Sequence, residues 1–304
     1  MERQTRLAPW KFAVLLILTT FVMGIAFPIG KMGLAYAPPF FLMGIRYVLA
    51  GGLLAILAAR RPRPKGRTSW LQVAVIGLCQ TAGVMGFCYY SMHWITASES
   101  SIITFMSPLL VVVLGALLLR AVYSLRQWLG VVVGFVGVIS TLGFQLRLQG
   151  GIVLGLAGAL CFAAATLLIK RWGAEIDAIV LAAYQMLFGG VILLLLSVGT
   201  EHPAMVLTPS SIGILLVLVI LCSIVQFSVW FYLLGQGDPA KTSSFLFLVP
   251  FFGVLSSWLL LGEQIRWYVG VGGALIGVGI YMVNGGGQRV KSKQTGRVRD
   301  GAVI

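Results

Sequence analysis

The sequence predicts an all-α integral membrane protein: ten transmembrane helices arranged as two inverted five-helix repeats. Three observations predict it. Of 304 residues, 59% are hydrophobic and 10% charged, with a mean hydropathy of +0.99. A soluble domain carries about 25% charged residues to solvate its surface. Apolar runs of about 20 residues, enough to cross hydrocarbon as helix, follow one another through short connections. The first half of the chain also resembles the second in its motifs.

The runs place spans at 10–34, 38–59, 70–92, 96–119, 126–146, 150–170, 178–199, 209–235, 240–261 and 266–284. Trp10, Trp70, Trp94, Trp128, Trp172 and Trp267 stand near their ends, where an amphipathic indole prefers the headgroup level. The first run follows Arg3, Arg6 and Lys11 and precedes Ala35-Tyr36-Ala37, as a signal peptide would. Its apolar stretch exceeds the usual 7–15 residues and nine more spans follow, so it reads as the first helix.

Charge sets the expected orientation. With the N-terminus cytoplasmic, eighteen of the 22 Lys and Arg fall on cytoplasmic segments, including the Arg60–Arg67 connection and the tail beyond Gly285. Lys31, Arg147 and Arg266 fall outside, and Arg46 lies within a span. This positive-inside bias predicts a multi-pass membrane protein with both termini cytoplasmic. The formal charge of +14 sits in tails and connections and not on a basic stripe with interleaved aromatics, so nucleic acid is not expected as a partner. The expected partners are the lipid bilayer and a small-molecule substrate, with the chain a monomer or a homodimer.

The repeat is the most informative feature. Ser98-Glu-Ser-Ser-Ile-Ile-Thr-Phe-Met-Ser-Pro108 aligns with Ala240-Lys-Thr-Ser-Ser-Phe-Leu-Phe-Leu-Val-Pro250, bringing Ser101 to Ser243, Phe105 to Phe247 and Pro108 to Pro250. The match resumes at Leu125-Arg126 against Ile265-Arg266, Gly130 against Gly270 and Gly137-Val138 against Gly277-Val278, and upstream at Leu78-Cys79 against Leu221-Cys222. The expected division is an N-terminal repeat 1–146, a C-terminal inverted repeat 147–284 and a basic cytoplasmic tail 285–304. Five helices is an odd number, so the second copy enters the membrane from the opposite side. Inverted repeats of this kind build secondary transporters whose site opens alternately to each side.

Small polar residues, a mid-helix proline, then Leu259-Leu260-Leu261-Gly262-Glu263 and a last span with Gly270, Gly273 and Gly277 resemble the ten-helix EamA branch of the drug/metabolite transporter superfamily, over about residues 10–285. That resemblance implies export or exchange of small metabolites, often amino acids, by alternating access through a cavity between the halves, in a bacterial cell inner membrane. The chain departs from the family at Leu119-Arg120-Ala121, where a glutamate matching Glu263 usually recurs. A paired-glutamate role therefore does not carry over.

The chemistry inside the membrane is sparse. Every Asp and Glu lies in a tail, a connection or at a span end, as do His93 and His202, so a mid-membrane carboxylate relay is not expected. Passive facilitation, exchange, or coupling through Glu99 or Glu263 near a mouth all stay open. Arg46 has two readings: a guanidinium holding a substrate carboxylate, or a side chain that snorkels outward or pairs with Glu99.

Candidate cavity faces follow from helical spacing. They are Ser101, Thr104, Phe105 and Pro108; Ser243, Phe247 and Pro250; Ser223, Gln226 and Trp230; and Gln80 with Phe87. Such faces suit an amphipathic metabolite, although the same groups also bond neighbouring helices in lipid. Pro28, Pro108 and Pro250 interrupt spans. Gly130, Gly134 and Gly137, with Gly270, Gly273 and Gly277, read as close-packing faces. Cys79, Cys88, Cys161 and Cys222 lack metal-ligand spacing, and no phosphate loop, dinucleotide fingerprint or nucleophile triad occurs, so no catalytic residue, cofactor or metal is expected. A membrane enzyme acting on a lipid-linked substrate is the alternative. It needs a clustered acid, base or nucleophile that eight scattered carboxylates do not supply.

Overall fold

Ten helices form where the apolar runs lie, in a computed structural model that describes residues 8–119, 122–141, 150–236 and 245–284. Helix α1 (Pro9–Gly33) starts on a proline, whose missing N–H costs nothing in a first turn, and α2 (Pro39–Leu57) does the same. Helix α3 is composite: Arg67–Gly77, a π-helical segment Leu78–Gly83, then Val84–Ser91. Helix α4 opens on a capping box between Thr96 and Glu99, runs Ala97–Phe105, breaks at Met106 and resumes over Ser107–Leu119 with Pro108 in its first turn. Helices α5 (Leu125–Thr141), α6 (Gly150–Trp172) and α7 (Ala178–Thr200, capped by Asp177) follow. Helix α8 is composite like α3: Pro209–Leu216, a π-helical segment Val217–Val225, then Gln226–Gln236. A 3-10 turn at Phe245–Phe247 leads into α9 (Leu248–Leu261), and α10 is Trp267–Asn284. Gly262, at φ 65°, ends α9 in the left-handed conformation that favours glycine.

Among the described residues seven spans are long and apolar enough to cross a bilayer, while Leu125–Thr141, Leu248–Leu261 and Trp267–Val283 are shorter. The expected extensions of the fifth and ninth spans reach into 142–149 and 237–244, outside the described residues, as do the Arg120–Ala121 pair and the basic tail.

The helix neighbours repeat under exchange of the halves. Helix α2 packs along α7 and α5 along α10, each against its counterpart; α1 packs on α9 as α6 packs on α4, and α1 meets α8 as α6 meets α3. A bundle whose contacts survive the swap of residues 10–141 with 150–284 has a pseudo-two-fold axis.

Close approach along that axis rests on glycine, on the α5 face that was expected but at other positions of α10. A Cβ on Gly137 meets the Gly272 carbonyl at 2.7 Å, and one on Gly130 meets the Gly279 carbonyl at 2.7 Å. Gly270, Gly273 and Gly277 instead line a lateral apolar cavity of about 720 Å³ with Ile102, Pro250 and Tyr281. The reason is angular: 272 and 279 lie on the α10 face that meets α5, whereas 270, 273 and 277 lie on the next face round.

The two ends of the bundle differ. One carries the basic α2–α3 and α6–α7 connections, where Arg61 pairs with Asp177 at 2.9 Å. The other is tied by carboxylates on helix N-termini, where exposed N–H groups and the helix dipole favour negative charge. Glu201, at the end of α7, accepts from Phe40 and Phe41 N–H at 3.1 and 3.2 Å. Glu263, after α9, accepts from Ala97 N–H at 2.8 Å and from Ser98 N–H and Oγ at 3.1 and 2.6 Å, with Lys31 Nζ 3.5 Å away. Charged hydrogen bonds contribute about 1.5–3 kcal/mol. Glu263→Ala is therefore expected to lower stability in detergent by about 2–3 kcal/mol, against no change for the exposed Glu175→Ala; equal melting temperatures would show that the tie is dispensable.

Candidate functional site

Seven helices converge on a cavity of about 270 Å³ between the halves, and α5 and α10 contribute nothing to its wall. Its polar lining comprises Arg46, Gln80, Tyr89, Thr104, Thr166, Gln185 and Gln226; the rest is mainly aromatic and aliphatic. Phe105 sits between Phe27 of the first repeat and Phe162 of the second, with ring centroids 5.9 Å away on each side. Arg46 and Tyr89 lie toward the carboxylate-tied end. Ile169, Leu181 and Leu246 lie close to where α6 ends, α7 begins and α9 begins, so the cavity runs from mid-bundle toward the basic end.

Arg46 is 2% exposed. Its Nε donates to Ser223 Oγ at 3.0 Å and its Nη2 to the Cys222 carbonyl at 2.7 Å, both on α8. Nη1 reaches Tyr89 Oη at 3.4 Å and Met43 Sδ at 3.7 Å, and the guanidinium carbon lies 4.7 Å from the Tyr47 ring centroid. Tyr89 in turn donates to the Ala26 carbonyl at 2.8 Å, so its oxygen is held as an acceptor for Arg46. Both bland readings of Arg46 fail. It does not snorkel, and Glu99 is occupied in its own capping box. Among the described residues the ion pairs are Lys31–Glu263 and Arg61–Asp177, so this guanidinium is held by neutral acceptors alone.

The π-helical segment explains the carbonyl. At the end of it the Gln226 N–H bonds the Leu221 and Ser223 carbonyls and passes over Cys222. A wide turn leaves that oxygen without its ordinary donor, and Arg46 supplies one. The equivalent segment in α3 behaves alike: the Val84 N–H bonds the Cys79 and Thr81 carbonyls and passes over Gln80. Apolar runs carry no sign of such a turn, so neither segment was legible beforehand.

Arg46, singled out by its charge, and Gln80, Thr104, Phe105, Gln226 and Trp230, picked from helical spacing, stand in the cavity wall. Ser223 is just behind it as the Arg46 acceptor. Phe87 is not in that wall, and a Cβ added at Gly158 of α6 would lie 3.5 Å from its Cβ. Ser101 is buried against Gly253 of α9 and donates to the Ser98 carbonyl at 2.8 Å. Pro108 marks the break in α4, and Pro250 faces the lateral cavity. A broken helix rotates the residues beyond the break, so the i, i+7 stripe from Ser101 to Pro108 does not persist as one face. Ser243 and the Phe247 side chain lie outside the described residues.

Spacing missed Tyr89, Gln185 and Thr166. Gln185 carried a usable signal as a lone amide in an apolar span, which lipid makes costly unless it has a role. It is 3% exposed and accepts from Thr81 Oγ1 at 2.6 Å. Among the described residues no group of three His, Cys, Asp or Glu is placed to hold a metal ion.

Comparison with known proteins accords with this architecture. The profile of the EamA-like transporter family matches residues 10–143 and again 149–285. The uncharacterized transporter YvbV of Bacillus subtilis (strain 168) is 30% identical over 277 residues, covering 90% of this chain and 91% of its own. A Salmonella typhimurium protein named a probable amino-acid metabolite efflux pump is 26% identical over 302 residues, covering 95% and 98%. A crystal structure 18% identical in sequence superposes with a TM-score of 0.65 over 89% of this chain and 96% of its own, which establishes the shared fold. With the profile matched twice across nearly its whole length, this chain belongs to the EamA-like transporter family: it is a multi-pass membrane transporter of a small-molecule substrate and not an enzyme.

Proposed function

We propose that the chain exports small amphipathic metabolites, amino acids among them, across the cell inner membrane by alternating access at the central cavity. One observation carries the reading. A buried guanidinium with neutral partners only, in the wall of an otherwise uncharged and mainly apolar cavity, favours a solute that brings one carboxylate and an apolar body. The distant relative named as an amino-acid metabolite efflux pump supports the same class. Arg46 takes the carboxylate, Gln226, Gln80 and Thr104 orient polar atoms, and Phe105 and Trp230 bury the side chain. Residues 1–146 and 147–284 act as the two rocking halves, with the basic connections and both termini cytoplasmic. A cavity extending toward the basic end then represents the carrier facing the cytoplasm, as loading for export requires.

The test is flux of a labelled amino-acid panel in proteoliposomes, with the chain alone. Gln226→Leu and Trp230→Ala are each expected to raise KM about tenfold, since a lost buried hydrogen bond or aromatic contact is worth roughly 1–2 kcal/mol. No flux or exchange of any panel member by folded protein would dismiss the function. Unchanged kinetics in both variants would dismiss the site.

A further inference from the structure

We infer that the cavity holds a second head-group subsite, at Gln80, which accepts the ammonium of a zwitterionic substrate. The inference rests on the cavity being the substrate site and adds which heads it recognises.

The argument is one of broken pseudo-symmetry. Counted back from the residue whose N–H closes each π-helical segment, Val84 in α3 and Gln226 in α8, Gln80 corresponds to Cys222 and Thr81 to Ser223, one residue away from the sequence match of Cys79 with Cys222. In α8 the passed-over carbonyl of Cys222 and the hydroxyl of Ser223 are both filled by the cationic side chain of Arg46, which comes from the second helix of the opposite repeat. In α3 the second helix of the other repeat also reaches across, but it sends Gln185. That amide is neutral and meets Thr81, the counterpart of Ser223. No hydrogen bond from Gln185 to the Gln80 carbonyl is present. One half therefore has a guanidinium at its π turn, and the other has a neutral amide at the equivalent place.

Two further facts sharpen the point. The Gln80 Oε1 is buried and has no hydrogen-bond partner, which is unfavourable for a polar atom inside a bundle unless something else satisfies it. Gln80 also lines the same cavity as Arg46. The passed-over backbone carbonyl is an acceptor whichever way the side-chain amide is turned. An ammonium has three donors and no acceptor, and so suits a pair of carbonyl oxygens. The absence of a carboxylate from the described lining selects against a solute that is cationic only. A zwitterion avoids that cost, because its own carboxylate goes to Arg46 and the transferred molecule is neutral overall.

The experiment measures binding by thermal shift and flux in proteoliposomes with the full chain and three probes: L-leucine, its deaminated analogue 4-methylpentanoate and its decarboxylated analogue isoamylamine. Wild type is expected to prefer L-leucine at least tenfold over both. Gln80→Met, which removes the acceptor at similar size, is expected to weaken L-leucine at least tenfold and 4-methylpentanoate less than twofold. Equal weakening of both, or of neither, overturns the subsite, because mere structural damage does not discriminate between them. Gln80→Glu provides an independent reading: isoamylamine binding rises at least tenfold and 4-methylpentanoate binding falls, and no change overturns the inference. Wild type that takes 4-methylpentanoate as well as L-leucine sinks the ammonium subsite alone. Wild type that takes none of the three counts against the proposed function itself and removes the inference with it.

Discussion

Arg46→Met is expected to reduce flux of carboxylate-bearing solutes about 100-fold while leaving the melting temperature in detergent within a few degrees of wild type. Truncating one partner of a buried charged hydrogen bond costs roughly 2–5 kcal/mol in binding, and about 1.4 kcal/mol is tenfold. Folding responds differently because two effects oppose. The substitution removes a charge whose desolvation costs several kcal/mol. It also strips donors from α8 and α3, but Ser223 still donates to the Leu218 carbonyl and Tyr89 to Ala26, so mainly the Cys222 carbonyl is orphaned, at about 1–3 kcal/mol. Arg46→Lys keeps the charge and loses the fork, since one ammonium cannot reproduce both the Nε bond to Ser223 and the Nη2 bond to Cys222. It is expected to fall between the two. Full flux of an amino acid through folded Arg46→Met would refute the carboxylate role.

Gly137→Val is expected to destabilise the bundle by at least about 3 kcal/mol, enough to lose most folded protein on extraction into detergent. Its new Cβ would lie 2.7 Å from the Gly272 carbonyl and 2.8 Å from the Ile276 nitrogen, both backbone atoms that no rotamer change can move. Helices α5 and α10 must then separate, and their contact is the most extensive in the molecule among the described residues. Gly270→Ala is the control. A Cβ there meets nothing within 4 Å, and replacing glycine within a helix by alanine stabilises by about 0.5–1 kcal/mol. Size-exclusion profiles and melting temperatures of the two variants check both statements; a well-folded Gly137→Val protein would show that the crossing tolerates separation.

The contrast between Gly137 and Gly270 shows where sequence reasoning stops. Matching the repeats pairs Gly137 with Gly277 and Gly130 with Gly270, yet the glycines that meet Gly137 and Gly130 are Gly272 and Gly279. Alignment relates residues that occupy equivalent places. Contact relates residues that face one another, and the two coincide only for residues on the axis itself. Likewise Thr104 with Phe105 and Gln226 with Trp230 were reachable by spacing because each pair lies within one uninterrupted α-helical segment. Pro108 was not, because α4 breaks at Met106 before it, and Phe87 was not, because the count from Gln80 runs through the π-helical segment Leu78–Gly83.

By itself the sequence determined the solvent, the number of spans, the duplication and the one charge inside the membrane. Each follows from composition or from counting residues along the chain, and lipid leaves few alternatives, since every backbone group must be satisfied within a helix. Only the tertiary structure decided what Arg46 holds. Its partners are a carbonyl that a π turn leaves without a donor and a hydroxyl beside it, 176 and 177 residues away. No local pattern encodes a widened turn in an apolar run, because apolar side chains take no part in the backbone hydrogen bonds that widen it.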